Sequence, residues 1–236
     1  MTGSAVVIGA SGGIGAAVVR ALVGDGRYAA VHALSRGGDS EIDGATPGAI
    51  DLTDEDSIAA AFARVAGDID LLLIASGILH GGDHRPERSL RDLDADWMAR
   101  NFAINAIGPA LAIKHVVARL PRDRRSVVAA LSARVGSISD NRIGGWYGYR
   151  ASKAALNMVI RSASIEVARS RPKALIVGLH PGMVDTALSM PFQAGVPEGK
   201  LFTPDRSARA MLSVVDGLDA DASGRLFAWD GREIQP

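Results

Sequence analysis

A tyrosine and a lysine four residues apart are the side chains of this sequence best suited to proton transfer. Tyr149 and Lys153 lie in the stretch Trp146–Leu156, which continues as an apolar, helix-forming segment. Residues four apart share one face of an α-helix, so both side chains are expected to point into the same cleft. A phenol has a pKa near ~10 in water, and a neighbouring ammonium group favours the phenolate and lowers that pKa. The pair is a candidate general acid/base, and the alternative is two surface residues at a helical spacing.

A glycine-rich turn near the start of the chain is the candidate phosphate-binding element. Glycine permits a tight turn that brings backbone amides close to a ligand, and the N-terminus of the next helix favours a pyrophosphate. An ordinary glycine-rich turn is the alternative, but its place between the first predicted strand and the first helix favours dinucleotide binding. The spacing is Gly-x3-Gly-x-Gly. The residues of this turn are Gly9, Ala10, Ser11, Gly12, Gly13, Ile14 and Gly15.

The end of the second predicted strand indicates which nicotinamide nucleotide the protein prefers. An NAD-preferring site usually places an acidic residue near this point to hold the ribose hydroxyls. Ser35 and Arg36 stand there instead, and a guanidinium can hold a 2′-phosphate in a forked arrangement. NADP(H) is therefore favoured over NAD(H); an exposed surface arginine without this role is the alternative.

Two further strand ends contribute candidate cofactor contacts. Asp51 and Leu52 follow the third strand and are expected to meet the adenine ring and its amino group. Alternatively, the segment Asp51–Asp54 caps the helix that follows. Small residues at the end of the fourth strand let a cofactor lie across the strand tips. These residues are Ala75, Ser76 and Gly77.

The remaining candidates belong to the reacting end of the site. Asn105 lies in an otherwise apolar predicted helix, where a buried amide needs partners. It is either a structural core asparagine or the holder of a proton-relaying water, and nearby Gly108 permits close approach. Ser132 ends a buried-looking strand at the edge where parallel sheets bind ligands, so its hydroxyl can contact a substrate carbonyl. A fixed turn after the next strand supplies the last set, in which Thr186 offers a hydroxyl to a carboxamide. These residues are Pro181, Gly182, Val184 and Thr186.

Composition excludes several function classes. The chain has 236 residues, of which 47% are hydrophobic, enough to bury the core of one α/β domain. Its 26 basic and 26 acidic residues create no field that would attract nucleic acid or an anionic membrane. There is no cysteine, which excludes disulfides, thiol catalysis and thiolate metal sites. No run is long enough to span a bilayer and there is no basic leader, so a cytoplasmic protein is expected. His80 and His84 are four apart but lack further ligands, so no metal site is predicted.

Alternation of short Val/Ile/Leu-rich runs with Ala-rich amphipathic segments predicts a single-domain, Rossmann-type, doubly wound parallel sheet over residues 1–236, with helices on both faces. About seven strands are expected, at Ala5–Gly9, Ala29–Leu34, Ala49–Asp51, Asp70–Ala75, Ser126–Leu131, Lys173–His180 and Arg225–Trp229. Helices are expected at Gly13–Val23, Glu55–Val65, Asp92–Leu120, Tyr147–Arg169 and Asp205–Val215.

The ordered set of motifs resembles the short-chain dehydrogenase/reductase family over essentially the whole chain. The glycine turn, Asn105, Tyr149-x-x-x-Lys153 in Tyr-x-Ala-Ser-Lys form, and the Pro-Gly-x-x-x-Thr turn occur in the family's order. The segments Gly136–Asn141 and Gly144–Arg150 are similar to the branch of C-factor-like proteins and small carbonyl reductases. The resemblance implies that a hydride passes between nicotinamide and a substrate carbon while the protein orients both.

The resemblance also implies roles for individual residues. Tyr149 exchanges the proton with a carbonyl or alcohol, Lys153 lowers its pKa and holds the nicotinamide ribose, and Asn105 maintains a water relay. Two departures from the family pattern bear on these roles. Ala75-Ser76-Gly77 stands where the family often has Asn-Ala-Gly. Ala133 takes the usual position of the carbonyl-binding serine, so that Ser132 is expected to substitute, with Ser137 as the alternative.

The leading hypothesis is an NADP(H)-dependent carbonyl reductase or alcohol dehydrogenase acting on a small to medium, uncharged substrate. The loop 188–203 is expected to close over that substrate through Met190, Phe192, Val196, Leu201 and Phe202, which are otherwise ordinary packing or an oligomer contact. The resemblance implies a homodimer or homotetramer through the two long central helices. The altered serine keeps a second hypothesis open, an NADP(H)-binding regulatory protein with little turnover. A sugar-nucleotide epimerase fits the glycine spacing and chain length less well.

Overall fold

Ten strands and six α-helices make up the computed structural model, which describes residues 3–236. The strands are β1 (Ser4–Ile8), β2 (Val31–Ser35), β3 (Thr46–Ala49), β4 (Ile69–Ile74), β5 (Ser126–Leu131), β6 (Ala174–His180), β7 (Met183–Val184), β8 (Leu201–Phe202), β9 (Leu226–Ala228) and β10 (Glu233–Ile234). The helices are α1 (Gly13–Asp25), α2 (Glu55–Ala63), α3 (Ala95–Phe102), α4 (Gly108–Val117), α5 (Tyr147–Ala168) and α6 (Pro204–Gly217). A π-helical turn, Ala103–Ile107, joins α3 to α4.

Eight of these strands form one sheet in the order β10-β9-β6-β5-β4-β1-β2-β3. All neighbouring strands are parallel except β9 and β10, which are antiparallel. The chain moves outward from β1 to β3 and then returns to place β4 on the other side of β1. Ligands of such sheets bind at this switch point, outside the carboxyl ends of the strands. The predicted doubly wound parallel sheet is confirmed, with one more strand than expected.

The central strands are buried on both faces, which explains their continuous apolar sequences. Alternate residues of each strand point to opposite faces: Val177 packs under α1 and α6, whereas Ile176 packs under α2, α4 and α5. Each helix layer therefore covers its own core, and the sheet edge between them stays open for ligands. Among residues 3–236, no helix combines the length and apolar character that a bilayer crossing requires.

The structure corrects several predicted boundaries. The third strand lies earlier than expected, at Thr46–Ala49, because Pro47 and Gly48 obscure its pattern; as an edge strand it tolerates a missing N–H. The single long helix predicted at Asp92–Leu120 is divided by the π-helical turn into α3 and α4. Strands β7, β8 and β10 span two residues each, too short to produce a periodic signal.

Candidate functional site

Two adjoining cavities open at the carboxyl edge of the sheet. The first, the nucleotide cleft, has a volume of about 270 Å³ and lies at the ends of β1, β2 and β4. It is lined by Gly9, Ser11, Gly12, Ser35, Arg36, Ile50, Asp51, Leu52, Thr53, Ala75, Ser76, Gly77 and Ile104. The second, the Tyr149 pocket, has a volume of about 150 Å³ and lies at the ends of β5 and β6. It is lined by Ile14, Leu79, Ser132, Ala133, Arg134, Val135, Trp146, Tyr149, His180, Pro181, Gly182, Met183, Val184, Thr186, Leu188, Ser189 and Phe192.

The glycine turn is shaped by close backbone contacts. Gly9 has a φ of 90°, and a Cβ there would lie 2.8 Å from the Ser76 backbone nitrogen. A Cβ on Gly15 would lie 2.1 Å from the Gly9 carbonyl oxygen, so Gly15 shapes the turn and does not line the cleft. Gly12 is the N-cap of α1 and makes no side-chain capping bond, which leaves the helix N-terminus open to an anion. The residues present therefore fit a pyrophosphate.

Gly13, which lines neither cavity, lies at the contact between α1 and the turn after β6. A Cβ there would lie 3.0 Å from the Thr186 methyl group, so the start of α1 packs directly against the Pro181–Thr186 turn. The predicted phosphate element and the predicted carboxamide contact are thereby brought together.

Arg36 lies at the exposed end of the nucleotide cleft. Its guanidinium forms no ion pair or side-chain hydrogen bond with any residue from Gly3 to Pro236. Ser35 is buried, and its hydroxyl accepts the Gly38 N–H at 3.1 Å, which fixes the turn behind the arginine. A charged fork at this position suits a phosphate on the adenosine ribose.

The structure separates two roles that the sequence left open for residues 51–54. The Asp51 carboxylate accepts bonds from the Thr53 backbone N–H and hydroxyl, which lower the pKa of Asp51, and it lines the cleft. The cap of α2 is Asp54, whose side chain accepts from the N–H groups of residues 56 and 57. Gly108 approaches Leu52 closely, because a Cβ on Gly108 would lie 2.5 Å from the Leu52 carbonyl oxygen.

Tyr149 and Lys153 are both buried on the first turns of α5, and Tyr149 lines the pocket whereas Lys153 does not. The Lys153 ammonium lies 5.7 Å from the centre of the Tyr149 ring and donates to the Leu131 carbonyl at 2.7 Å. The expected lowering of the phenol pKa is wrong for this arrangement. Burial raises the pKa of Tyr149 to about 12 and lowers the pKa of Lys153 to about 8, because both charged forms lose hydration. Tyr149 is therefore a protonated phenol at neutral pH.

Asn105 lies in the π-helical turn, and its side chain connects the loop after β4 to α5. Its side-chain oxygen accepts the Ile78 N–H at 2.8 Å, and its amide nitrogen donates to the Ile78 carbonyl at 2.9 Å and to the Ser152 hydroxyl at 3.1 Å. Gly77 allows this arrangement, since a Cβ there would lie 3.2 Å from the Asn105 oxygen and 3.5 Å from the Lys153 nitrogen. The buried amide thus has the partners that it needs, and a π-turn at this position is common at functional sites.

Ser132 and Ala133 occupy different environments although they are adjacent. Ala133 packs with Leu79 and Tyr149 in the apolar wall of the Tyr149 pocket. The Ser132 hydroxyl donates to the Asn157 side-chain oxygen at 2.7 Å, and the Asn157 amide nitrogen is buried with no partner among residues 3–236. Ser137 accepts the Asp140 N–H at 3.1 Å and does not line the pocket, so it is not the substitute serine.

The predicted substrate loop contributes fewer residues than expected. Phe192 lines the Tyr149 pocket, whereas the Met190 side chain is 65% exposed. Leu201 and Phe202 form β8, which pairs with β7, and Phe202 packs edge-on against Trp229 at 4.6 Å. The packing alternative is therefore correct for these last two residues, because strand pairing turns them away from the pocket.

Several lining residues escaped the sequence analysis. His180 carries a buried Nδ1 without a partner in the described chain, and burial lowers its pKa to about 4. Trp146 is the one non-glycine residue among residues 3–236 with a positive φ, 52°, and its ring lies 6.3 Å from that of Tyr149. Asn157 lines neither cavity but bonds to Ser132, and it was detectable because it lies four residues after Lys153 on the same helical face. Long-range contacts alone bring Leu79 and Ile104 to the site.

The two histidines considered for a metal have other contacts. His84 stacks on Trp97 with ring centres 4.6 Å apart. The His80 Nε2 lies 3.1 Å from the Leu188 carbonyl oxygen, which links the loop after β4 to the loop after β7.

Comparisons with known proteins agree with this geometry. The family model for short chain dehydrogenases matches residues 4–196. The C-signal protein of Myxococcus xanthus is 42% identical over 147 residues, which are 62% of this chain and 82% of that protein. The 1-hydroxy-2-glutathionyl-2-methyl-3-butene dehydrogenase of Rhodococcus sp. strain AD45 is 32% identical over 98% of both chains. The NADPH-bound carbonyl reductase from chicken fatty liver superposes with a TM-score of 0.85 at 25% identity, covering 99% of this chain and 94% of that one.

The chain belongs to the short-chain dehydrogenase/reductase family. Within it, the fold and the matched relatives define an NAD(P)-dependent oxidoreductase that resembles the small carbonyl reductases.

Proposed function

We propose that the protein transfers a hydride between NADP(H) and a small to medium carbonyl or alcohol substrate. The observation that carries this proposal is the burial of Tyr149 in an apolar pocket that adjoins the nucleotide cleft. Nicotinamide, when bound, supplies the hydride chemistry. NADP(H) is preferred because Arg36 offers an unpaired guanidinium where an acidic residue would favour NAD(H).

Tyr149 acts as the general acid in the reducing direction. A phenol whose pKa is about 12 holds its proton at neutral pH and can donate it to the oxygen of the reduced carbonyl. A Lys153 ammonium beside the ring stabilises the phenolate that remains after transfer. Asn105 fixes Ile78, and therefore the neighbouring Gly77, close to Lys153. The proposal includes a water relay of protons between Lys153 and Asn105.

Ser132 is the proposed contact for the substrate oxygen, in place of the hydroxyl that Ala133 lacks. Its hydroxyl proton is held by Asn157. A half-turn of the Asn157 amide would bring the unpaired nitrogen to Ser132 and release that proton toward the pocket. Leu188 and Phe192 would cover the substrate from the loop after β7.

A second candidate function is an NADP(H)-binding regulatory protein with little turnover. Ala133 favours it, since one missing donor to a developing oxyanion costs about 100-fold or more in rate. The similarity to the C-signal protein, whose name indicates a signal, also supports this candidate.

We also propose self-association through the two central helical segments. Large apolar side chains remain exposed on both: Ile107 in the π-helical turn, and Met158 and Ile165 two turns apart on α5. A second copy of the chain would bury them.

The test combines cofactor titration with turnover. Tryptophan fluorescence should give an NADPH Kd that rises roughly 10–100-fold in Arg36→Gln, the value of a lost charge-assisted contact, while the NADH Kd changes little. A carbonyl panel should show NADPH oxidation that Tyr149→Phe abolishes without weakening NADPH binding, whereas Tyr147→Phe, two residues away, keeps activity. Tight binding with no turnover across the panel would favour the regulatory candidate, and no binding of either nucleotide would overturn both.

A further inference from the structure

Two arginines on the loop after β4 have no partner in the described part of the chain. Arg85 and Arg88 are exposed, and neither guanidinium forms an ion pair or side-chain hydrogen bond with any residue from Gly3 to Pro236. Both line a cavity of about 840 Å³, which we call the arginine cleft. Its other lining residues include His84, Asp92, Trp146 and Phe192.

The arginine cleft adjoins the Tyr149 pocket. Trp146 and Phe192 line both cavities, and their ring centres are 4.9 Å apart. The Trp146 ring also lies 6.3 Å from the Tyr149 ring. A ligand whose reacting group meets Tyr149 and whose chain passes these aromatic rings would therefore extend into the cleft.

The loop that carries the arginines is hydrogen-bonded to the start of α5. Pro86 and Glu87, between the two arginines, are buried, and Glu87 is only 3% exposed. The Glu87 carbonyl accepts the Trp146 N–H at 2.6 Å, and its carboxylate accepts the Gly148 N–H at 3.3 Å from each oxygen. The backbone positions of the two arginines are thus fixed on either side of an anchored segment, beside Trp146 at the rim of the Tyr149 pocket.

The acidic residue in the cleft, Asp92, lies near Arg88. Hydrogen bonds from the Ser89 and Arg88 N–H groups, together with the charge of Arg88, lower the pKa of Asp92, but the Asp92 carboxylate forms no ion pair with either guanidinium. Asp92 accepts the N–H groups of Arg88 and Ser89 at 3.0 and 2.9 Å and the Ser89 hydroxyl at 3.2 Å, so its carboxylate is used within the loop. Two guanidiniums with open donor forks therefore face the cleft, and such forks match carboxylates in geometry and charge.

We propose that the arginine cleft binds a carboxylate carried by the substrate, at the far end from the carbonyl or alcohol that meets Tyr149. This inference rests on the proposed function and replaces the uncharged substrate that the sequence suggested with a carbonyl compound bearing an anionic end. Arg85 and Arg88 are the binding residues, and Glu87 positions them.

The test compares straight-chain keto acids of six to ten carbons with their methyl esters, using NADPH oxidation by the full-length protein. The acid should have a KM about tenfold or more below that of its ester, and this advantage should shrink as ionic strength rises from about 0.05 to 0.5 M. In the double variant Arg85→Gln/Arg88→Gln, the KM of the acid should rise about tenfold or more, while the KM of the ester and the NADPH Kd stay within about twofold.

Arg122→Gln is the matched control, because Arg122 is an exposed arginine beside the N-terminal end of β5, at the opposite edge of the sheet. It should leave the acid-to-ester ratio unchanged. Equal KM values for acid and ester, or a double variant that affects both alike, would overturn the carboxylate site. Calorimetric titration of the same compounds into the NADP⁺-saturated protein gives the comparison without turnover. Arginine-dependent binding of the acid with no oxidation of NADPH would contradict the proposed reaction and leave the carboxylate site standing.

Discussion

The nucleotide cleft and the Tyr149 pocket lie on the same edge of one sheet but are built differently. Backbone atoms and small residues shape the nucleotide cleft, where Gly9 and Gly15 allow contacts that no side chain would permit. Side chains from five separate segments enclose the Tyr149 pocket, including the large side chains of Leu79, Trp146 and Phe192. The first cavity can be recognised from a short local pattern, whereas the second depends on which distant segments meet.

The difference extends to electrostatics. The nucleotide cleft offers an open helix N-terminus and an exposed Arg36, both of which suit an anion that remains hydrated. Beside the Tyr149 pocket, burial removes water from Tyr149 and Lys153. It raises the pKa of Tyr149 and lowers the pKa of Lys153, so the neutral form of each is favoured. The nucleotide cleft therefore suits a charged ligand, whereas the Tyr149 pocket keeps its phenol protonated.

Lys153→Met should produce the largest effect and acts on the Tyr149 pocket. Turnover should fall about 10²–10⁴-fold, because the phenolate loses its neighbouring cation, while NADPH binding should weaken by only about tenfold, the effect of losing one ribose contact. The variant should also alter stability in a pH-dependent way. The folded-state pKa of Lys153, about 8, lies below its usual value of 10.5, so the wild type loses stability as pH falls through this range.

Urea unfolding without added nucleotide measures this second effect. Between pH 8 and pH 10, the unfolding free energy of the wild type should rise relative to the variant by on the order of 1–2 kcal/mol. A difference that stays constant over this range would show that burial does not depress the Lys153 pKa.

Gly15→Ala tests the backbone character of the nucleotide cleft. The added Cβ would meet the Gly9 carbonyl at 2.1 Å, so the free energy of unfolding should fall by roughly 3 kcal/mol and dinucleotide binding should weaken. Gly24→Ala is the control in the same helix, because a Cβ there has no neighbour within 4 Å. It should raise stability by up to about 1 kcal/mol. Similar denaturation midpoints for the two variants would contradict the steric account.

Ser132→Ala should have the smallest of these effects and tests how the Tyr149 pocket compensates for Ala133. Loss of the proposed substrate contact should lower kcat/KM by about tenfold or more, with NADPH affinity unchanged. Adding Ala133→Ser to this variant should recover activity, since it returns a hydroxyl to the wall beside Tyr149. If Ser132→Ala retains full activity, the Ser132–Asn157 pair is structural and the pocket works without a serine.

Some features of the site were predictable because they arise within short segments. The glycine turn and the pairing of Tyr149 with Lys153 both follow from the spacing of residues within a short segment, which can be read from the sequence. The same reasoning failed for the sign of the Tyr149 pKa shift, since it counted the nearby ammonium and omitted the burial of the phenol. It also assigned Phe202 to the substrate loop, because pairing between two-residue strands leaves no periodic pattern.

The sequence by itself determined the fold class, the glycine turn and the helix that carries Tyr149 and Lys153, because each depends on residues near one another in the chain. Only the tertiary structure decided the burial that keeps Tyr149 protonated and the bond between Ser132 and Asn157. It also set Arg85 and Arg88 beside the pocket through the contact of Glu87 with the start of α5. These properties depend on hydration lost and on contacts made between segments far apart in sequence, which no local pattern encodes.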